Sequence, residues 1–232
     1  MSETASPLNT LRQSIAAACH QASRDPETVT LLAVSKTRSA DEVAALADQG
    51  QHHFGENYLQ EALDKMDALA ERGLVWHFIG PIQSNKTRDI AAHFDWAQSI
   101  DRFKIARRLD QQRSDEQAPL NVCIQVNIDN EDSKSGVKAG DVLPLAEQIA
   151  QLDRLKLRGL MVIPSRQTEE SAQRASFHRA HDLFQQLQDQ HPQVDTLSMG
   201  MTADLSAAIA EGSTMVRIGT ALFGQRDTSQ RQ

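Results

Sequence analysis

The run from Val29 to Gly50, VTLLAVSKTRSADEVAALADQG, decides the fold, because it holds one complete strand-helix unit. Val29 to Ser35 is short and almost wholly apolar, the composition of a parallel strand covered on both faces. Ser39, followed three residues later by Glu42, predicts a capping box that starts a helix, and Gly50 is placed to end it. The unit recurs along the chain. His52 to Phe54 reads as the second strand, and Leu59, Leu63, Met66 and Leu69 form a helical stripe stopped by Gly73. Val75 to Ile79, Trp96 to Ile100 and Asn121 to Ile128 read as strands three to five, followed by helices over Ser84 to Ala92, Arg102 to Leu109 and Val142 to Leu152.

Strands over Leu157 to Ile163, Thr196 to Met199 and Thr214 to Ile218 complete the count. After them come the stripe Phe177, Ala180, Phe184 and Leu187, a helix over Ala203 to Ala210, and a short turn over Ala221 to Phe223. Strict alternation demands a parallel sheet, and eight units in about 200 residues predict one closed (β/α)8 TIM barrel. Ser6 before Pro7, with Leu8, Leu11, Ile15 and Cys19 at helical spacing, adds an extra N-terminal helix. Repeats and linkers are absent, so residues 1–232 read as a single domain, with 1–6 and 225–232 as frayed tails.

Composition narrows the partners. The 31 acidic and 24 basic residues give a net charge of -7, which disfavours nucleic acid and anionic membranes. The polar N-terminus and the lack of a long apolar run lead us to expect a cytoplasmic protein, in which the sequon Asn85-Lys86-Thr87 is silent. Cys19 and Cys123 sit in apolar surroundings and read as buried thiols. His178 with His181, and His52 with His53, recruit no third ligand in sequence, so no metal is expected.

In a barrel, chemistry gathers at the strand C-termini. Lys36 follows the apolar run Leu31 to Val34 directly, where desolvation favours the neutral amine that attacks an aldehyde. Ser198-Met199-Gly200 after strand seven and Gly219-Thr220 after strand eight have the small residues and hydroxyls of a barrel phosphate cup, and the helix start after Thr202 adds its positive end. Arg217 lies inside an otherwise apolar strand, where an unpaired charge is costly, so it needs an acceptor: a carboxylate within the protein, or a ligand such as the ring nitrogen of pyridoxal 5'-phosphate (PLP).

These segments carry a resemblance. LLAVSKT (31–37), FGENYLQE (54–61), WHFIGPIQSNK (76–86), RGLMVIP (158–164), LSMGMTADLSAAI (197–209) and GSTMVRIGTALFG (212–224) together resemble the pyridoxal phosphate homeostasis proteins, whose fold is similar to the barrel domain of alanine racemase. The resemblance implies PLP held as a Schiff base on Lys36, a phosphate surrounded by Ser198, Gly200, Gly219 and Thr220, and Arg217 at the pyridine nitrogen. It places Asn57, His77 and Met161 around the ring. Thr202 stands where the family often has Ser, and the hydroxyl is kept.

The implied role is storage, buffering or delivery of the cofactor, with PLP-dependent apoenzymes as transient partners and no established catalytic residue. The chain ends soon after strand eight and has one tyrosine, Tyr58, so we expect it to lack the second base of a racemase, and without the racemase-type β domain a monomer is expected. An arginine-paired pyridine is also a weaker electron sink. The alternative is a weak PLP-dependent racemase or lyase that borrows a base from Lys134, His77 or a partner chain. Lys134, in the long loop Asp129 to Gly136, is a second amine able to accept the aldehyde and move it out. A phosphate loop at Gly80 to Thr87 is a near miss, since Asn85 replaces its second glycine.

Overall fold

The computed structural model describes residues 6–131 and 133–225. The predicted tails lie mostly outside them; Ser6, however, accepts a hydrogen bond from the Asn9 amide and caps the first helix.

Helix α1 (Pro7–Gln21) precedes β1 (Thr30–Val34), α2 (Ala40–Ala47), β2 (His53–Glu56), α3 (Leu59–Ala68), β3 (Val75–Phe78), α4 (Thr87–His93), β4 (Trp96–Ile100) and α5 (Phe103–Gln112). The second half runs β5 (Leu120–Val126), α6 (Val142–Ile149), β6 (Leu155–Val162), α7 (Glu170–Gln190), β7 (Thr196–Ser198), α8 (Leu205–Ala210), β8 (Met215–Ile218) and α9 (Thr220–Phe223). All eight strands pair in parallel in chain order, and β8 closes on β1 with Leu32 opposite Arg217. The predicted TIM barrel with an extra N-terminal helix is the observed architecture, and α1 rests on α8 and α9.

The Ser39–Glu42 box forms in both directions, and Gly50 leaves α2 at φ 83°. Several boundaries shift by a few residues, three of them for plain local reasons. Helix α4 starts at Thr87, since Gln83 to Lys86 is a hydrogen-bonded turn. Asp204 accepts the Met201 amide, which holds a turn and delays α8 to Leu205. Strand β5 ends at Val126, because the Asn127 side chain is drawn into its own loop.

Most of the core, including Phe54, Leu109, Ile124 and Phe177, lies between the sheet and the helices. Inside the barrel the apolar cluster is small, Trp96, Cys123 and Met161, and beside it lie buried His77, Gln98, Ser198 and Arg217. Cys19 and Cys123 are free, buried thiols, and burial pushes Cys123 up to about 12. Among the described residues no helix is long and apolar enough to cross a membrane, and no group of His, Cys, Asp or Glu is arranged to hold a metal ion.

Candidate functional site

A cavity of about 240 Å³ opens at the C-terminal mouth of the barrel, where active sites of this architecture lie. It gathers Lys36 from the end of β1, Asn57 from β2, Met161 from β6, Arg217 from β8, and Gly219 and Thr220 from the start of α9. Six of the nine predicted site residues therefore share one wall. Thr202, Val34 and Ile79 join them.

Lys36 sits in a tightly held turn. The next residue, Thr37, has φ 64°, a rare conformation for a β-branched residue. Its amide donates to Glu61, while the Ser35 carbonyl accepts from Lys65 at 2.7 Å. Lys65 also donates to Glu56 at 2.7 Å and to Glu61 at 2.6 Å, and the Ser35 hydroxyl donates to Glu56. Burial pushes the Glu56 carboxyl up, against the pull of Lys65. Both neighbours of Lys36 thus hang from one buried knot.

Arg217 is buried without a carboxylate partner among the described ion pairs, which removes the internal-pair explanation of its position. Its guanidinium donates to the Ser198 carbonyl (2.6 Å), the Ser198 hydroxyl (2.9 Å) and the Val162 carbonyl (2.8 Å). Burial pulls it down to about 10, so it stays charged at neutral pH.

Three predicted site residues do not line this cavity. His77 is fully buried below the cavity, stacked on Trp96, and burial first, then His53 and Arg158, hold it well below the ordinary histidine range. Ser198 is beneath the floor and touches Gln98 and Arg217. Gly200, at φ 98°, is needed for packing: a Cβ there would fall 2.5 Å from the Ala208 Cβ. Period-two alternation told which side chains face inward but not at what depth.

Lys134 pairs with Glu131 at 3.1 Å and is not part of the cavity wall. Its loop is pinned by Asp129, which accepts from the Ser165 amide (2.6 Å), the Ser176 hydroxyl (3.0 Å) and Arg179 (2.6 Å). The Gly80 turn serves a neighbour instead of a phosphate, since a Cβ at Gly80 would fall 2.4 Å from the Asn57 carbonyl oxygen. That close approach seats Asn57, whose buried side-chain oxygen has no partner.

Arg38 was not foreseen. It lines the cavity while holding Glu42 at 3.2 Å and stacking over Phe223, and so ties the loop after β1 to α9. Its only signal was a second cation two residues beyond Lys36. Exposed Met201 and Ile163 add an apolar lip.

Fold and cavity define a barrel of the alanine racemase type: residues 8–227 match the family described as alanine racemase, N-terminal domain. An alanine racemase of Clostridium difficile 630 shares the fold at a TM-score of 0.70 and 11% identity, over 95% of this chain and 58% of its own. PipY of Synechococcus elongatus PCC7942, solved with PLP bound, matches at a TM-score of 0.78 and 37% identity, over 90% of this chain and 100% of its own. The pyridoxal phosphate homeostasis protein of Escherichia coli K12 is 50% identical over 234 residues, covering 100% of both chains. That of Pseudomonas aeruginosa is 55% identical, over 98% of this chain and 97% of its own. The chain belongs to the pyridoxal phosphate homeostasis protein family.

Proposed function

We propose that this protein binds PLP at the cavity and serves intracellular cofactor homeostasis, storing, buffering or delivering PLP and not consuming it in turnover. The observation that carries the reading is the convergence of Lys36, Arg217, Gly219 and Thr220 on one small cavity at the barrel mouth. The donor set fits the cofactor. A primary amine suits its aldehyde, and a hydroxyl-bearing turn at the start of α9, whose first amides have no intrahelical acceptor, suits its phosphate. The unpartnered Asn57 oxygen is an acceptor awaiting a donor.

When bound, PLP supplies an aldehyde that condenses with amines and a ring that withdraws electrons. Lys36 provides the amine. Arg217 would donate toward the ring nitrogen, and because it cannot surrender its proton at neutral pH it would leave that nitrogen unprotonated and the ring a weaker electron sink. Val34, Ile79 and Met161 give the cavity an apolar wall that would face the ring and exclude water.

Retention without turnover is supported by what lines the wall. Apart from Lys36, its polar members are Arg38, Asn57, Thr202, Arg217 and Thr220, none of them a proton acceptor at neutral pH. A two-base racemase needs a second base opposite the lysine. His77 is below the floor, Lys134 is engaged by Glu131, and Tyr58, 54% exposed, is not in the wall.

In this reading residues 1–232 act as one barrel domain, a cytoplasmic monomer that meets PLP-dependent apoenzymes transiently. Titration of the purified protein with PLP tests it: a saturable, one-to-one change in the near-ultraviolet and visible spectrum is expected, and no spectral change would refute it.

A further inference from the structure

Barrel interiors of this architecture are filled mainly by Val, Ile and Leu. Here buried polar side chains cross the interior in an unbroken line from the cavity to the opposite end. Arg217 donates to the Ser198 hydroxyl at 2.9 Å, and Ser198 donates to the Gln98 side-chain oxygen at 2.7 Å. The Gln98 amide nitrogen meets His77 Nδ1 at 2.9 Å, and His77 Nε2 meets His53 Nδ1 at 3.0 Å. His53, only half-buried, lines a second, lower cavity with Trp96 and Arg158.

The direction of this line is fixed by its first member. Guanidinium can only donate, so the Ser198 proton must point onward to Gln98, whose oxygen accepts and whose nitrogen then donates. His77 must therefore accept at Nδ1 and carry its proton on Nε2, which donates to His53. The Gln98 nitrogen also approaches the Met215 sulfur at 3.1 Å, consistent with the same amide orientation. The neutral state that burial imposes on His77 is the one this direction needs. Every link is satisfied, and a fully satisfied buried network specifies one arrangement, whereas a half-satisfied one is costly.

We propose that Gln98 is a positioning residue for the cofactor site: with Ser198 and His77 it forms a directed hydrogen-bond line that sets the Arg217 guanidinium in the cavity wall. This rests on the PLP reading above. It assigns a role to residues that do not touch the cavity, and it gives Ser198 and His77 a task other than the direct contact expected from sequence. Gln98 matters most, because it is the link between Ser198 and His77: its oxygen accepts from one and its nitrogen donates to the other.

Two measurements test the proposal. Nitrogen-15 spectra of the imidazoles in the purified protein should show His77 neutral at pH 7 with its proton on Nε2; a proton on Nδ1 would overturn the directed line without touching the PLP reading. PLP titrations of wild type, Gln98→Leu, Gln98→Glu and Ser198→Ala then read the site. Losing the bond that orients a charged group should weaken PLP binding about tenfold in Gln98→Leu and displace its visible band. Gln98→Glu can still accept from Ser198, so it should keep the wild-type band while the His77 proton moves to Nδ1.

If Gln98→Leu does not fold, Ser198→Ala, a one-atom truncation, carries the same expectation. Wild-type affinity and band position in Gln98→Leu or Ser198→Ala would overturn the positioning role. A wild-type protein that takes up no PLP would overturn the functional reading and the role built on it, whatever the His77 tautomer.

Discussion

The buried ammonium of Lys65 lies 2.7 Å from the carbonyl oxygen of Ser35, the residue immediately before the lysine that faces the cavity. The same ammonium holds Glu61, which accepts the amide of Thr37 on the other side of Lys36. Lys36 is thus presented by a clamp on both its neighbours, built from one helix and two strand ends. Breaking a buried pair by removing one partner leaves an uncompensated charge, and Lys65→Met should cost about 3–5 kcal/mol of stability. Urea denaturation of Lys65→Met and of the double variant Glu56→Gln/Lys65→Met checks this: the double variant should recover part of the loss.

His77 and His53 are both held below the ordinary histidine range, chiefly by burial. Below that range the unfolded chain takes up protons that the folded barrel refuses. Their contribution to stability is therefore complete above the ordinary histidine value and is lost as the pH falls below it toward the folded values. Each such histidine steepens the fall by up to about 1.4 kcal/mol per pH unit. Denaturation midpoints measured across this range should fall with pH, and His77→Gln should flatten the slope by close to one proton.

Two residues predicted for the phosphate cup separate by function. Gly200→Ala places a methyl against Ala208 at a positive φ and should destabilise the fold by about 1–3 kcal/mol. Thr220→Val replaces one hydroxyl of the cavity wall with a methyl; it should weaken PLP binding while stability stays within about 0.5 kcal/mol. Thermal denaturation and PLP titration of the pair should give opposite patterns.

The loop from Asp129 to Gly136 should behave as a pinned segment and not as a free lid. Burial opposes ionisation of Asp129, but hydrogen bonds from Ser165 and Ser176 and the charge of Arg179 outweigh it and lower its carboxyl. Asp129→Asn should raise amide hydrogen exchange across this loop by the loss of about 1–2 kcal/mol of local protection. Unchanged exchange would show that the loop is held by other contacts.

Much of the fold was legible because each unit carries its own punctuation. Trp96 to Ile100 was read with its observed limits, and Ser39, Glu42 and Gly50 marked α2 by local chemistry that packing did not override. Helix α8 was read too long because the Asp204 side chain closes a turn that composition alone resembles as helix. Lys36, Arg217, Gly219 and Thr220 were legible since a barrel fixes which end of a strand is functional.

Depth was not legible. His77 and Ser198 face inward as alternation requires, yet the stagger of strands around a barrel sets whether an inward residue reaches the cavity or the layer below it. Gln98 and Lys65 did leave signals. Gln98 is a lone amide within the buried strand WAQSI, and Lys65 falls three residues after Ala62 and four before Leu69, on the apolar face of α3. A polar residue on a core face is a question about its partner, and for both the partner adjoins a cavity residue: Ser198 meets Arg217, and Ser35 precedes Lys36.

Covalent capture tests whether PLP is held through Lys36. Wild type and Lys36→Ala would be equilibrated with PLP, their near-ultraviolet and visible spectra recorded, and the samples reduced with borohydride and mapped by peptide mass. A visible band is expected in wild type and not in Lys36→Ala, with a reduced pyridoxyl group on the peptide containing Lys36. A wild-type protein that shows no such band, or that carries the pyridoxyl group at another lysine, would contradict attachment at Lys36.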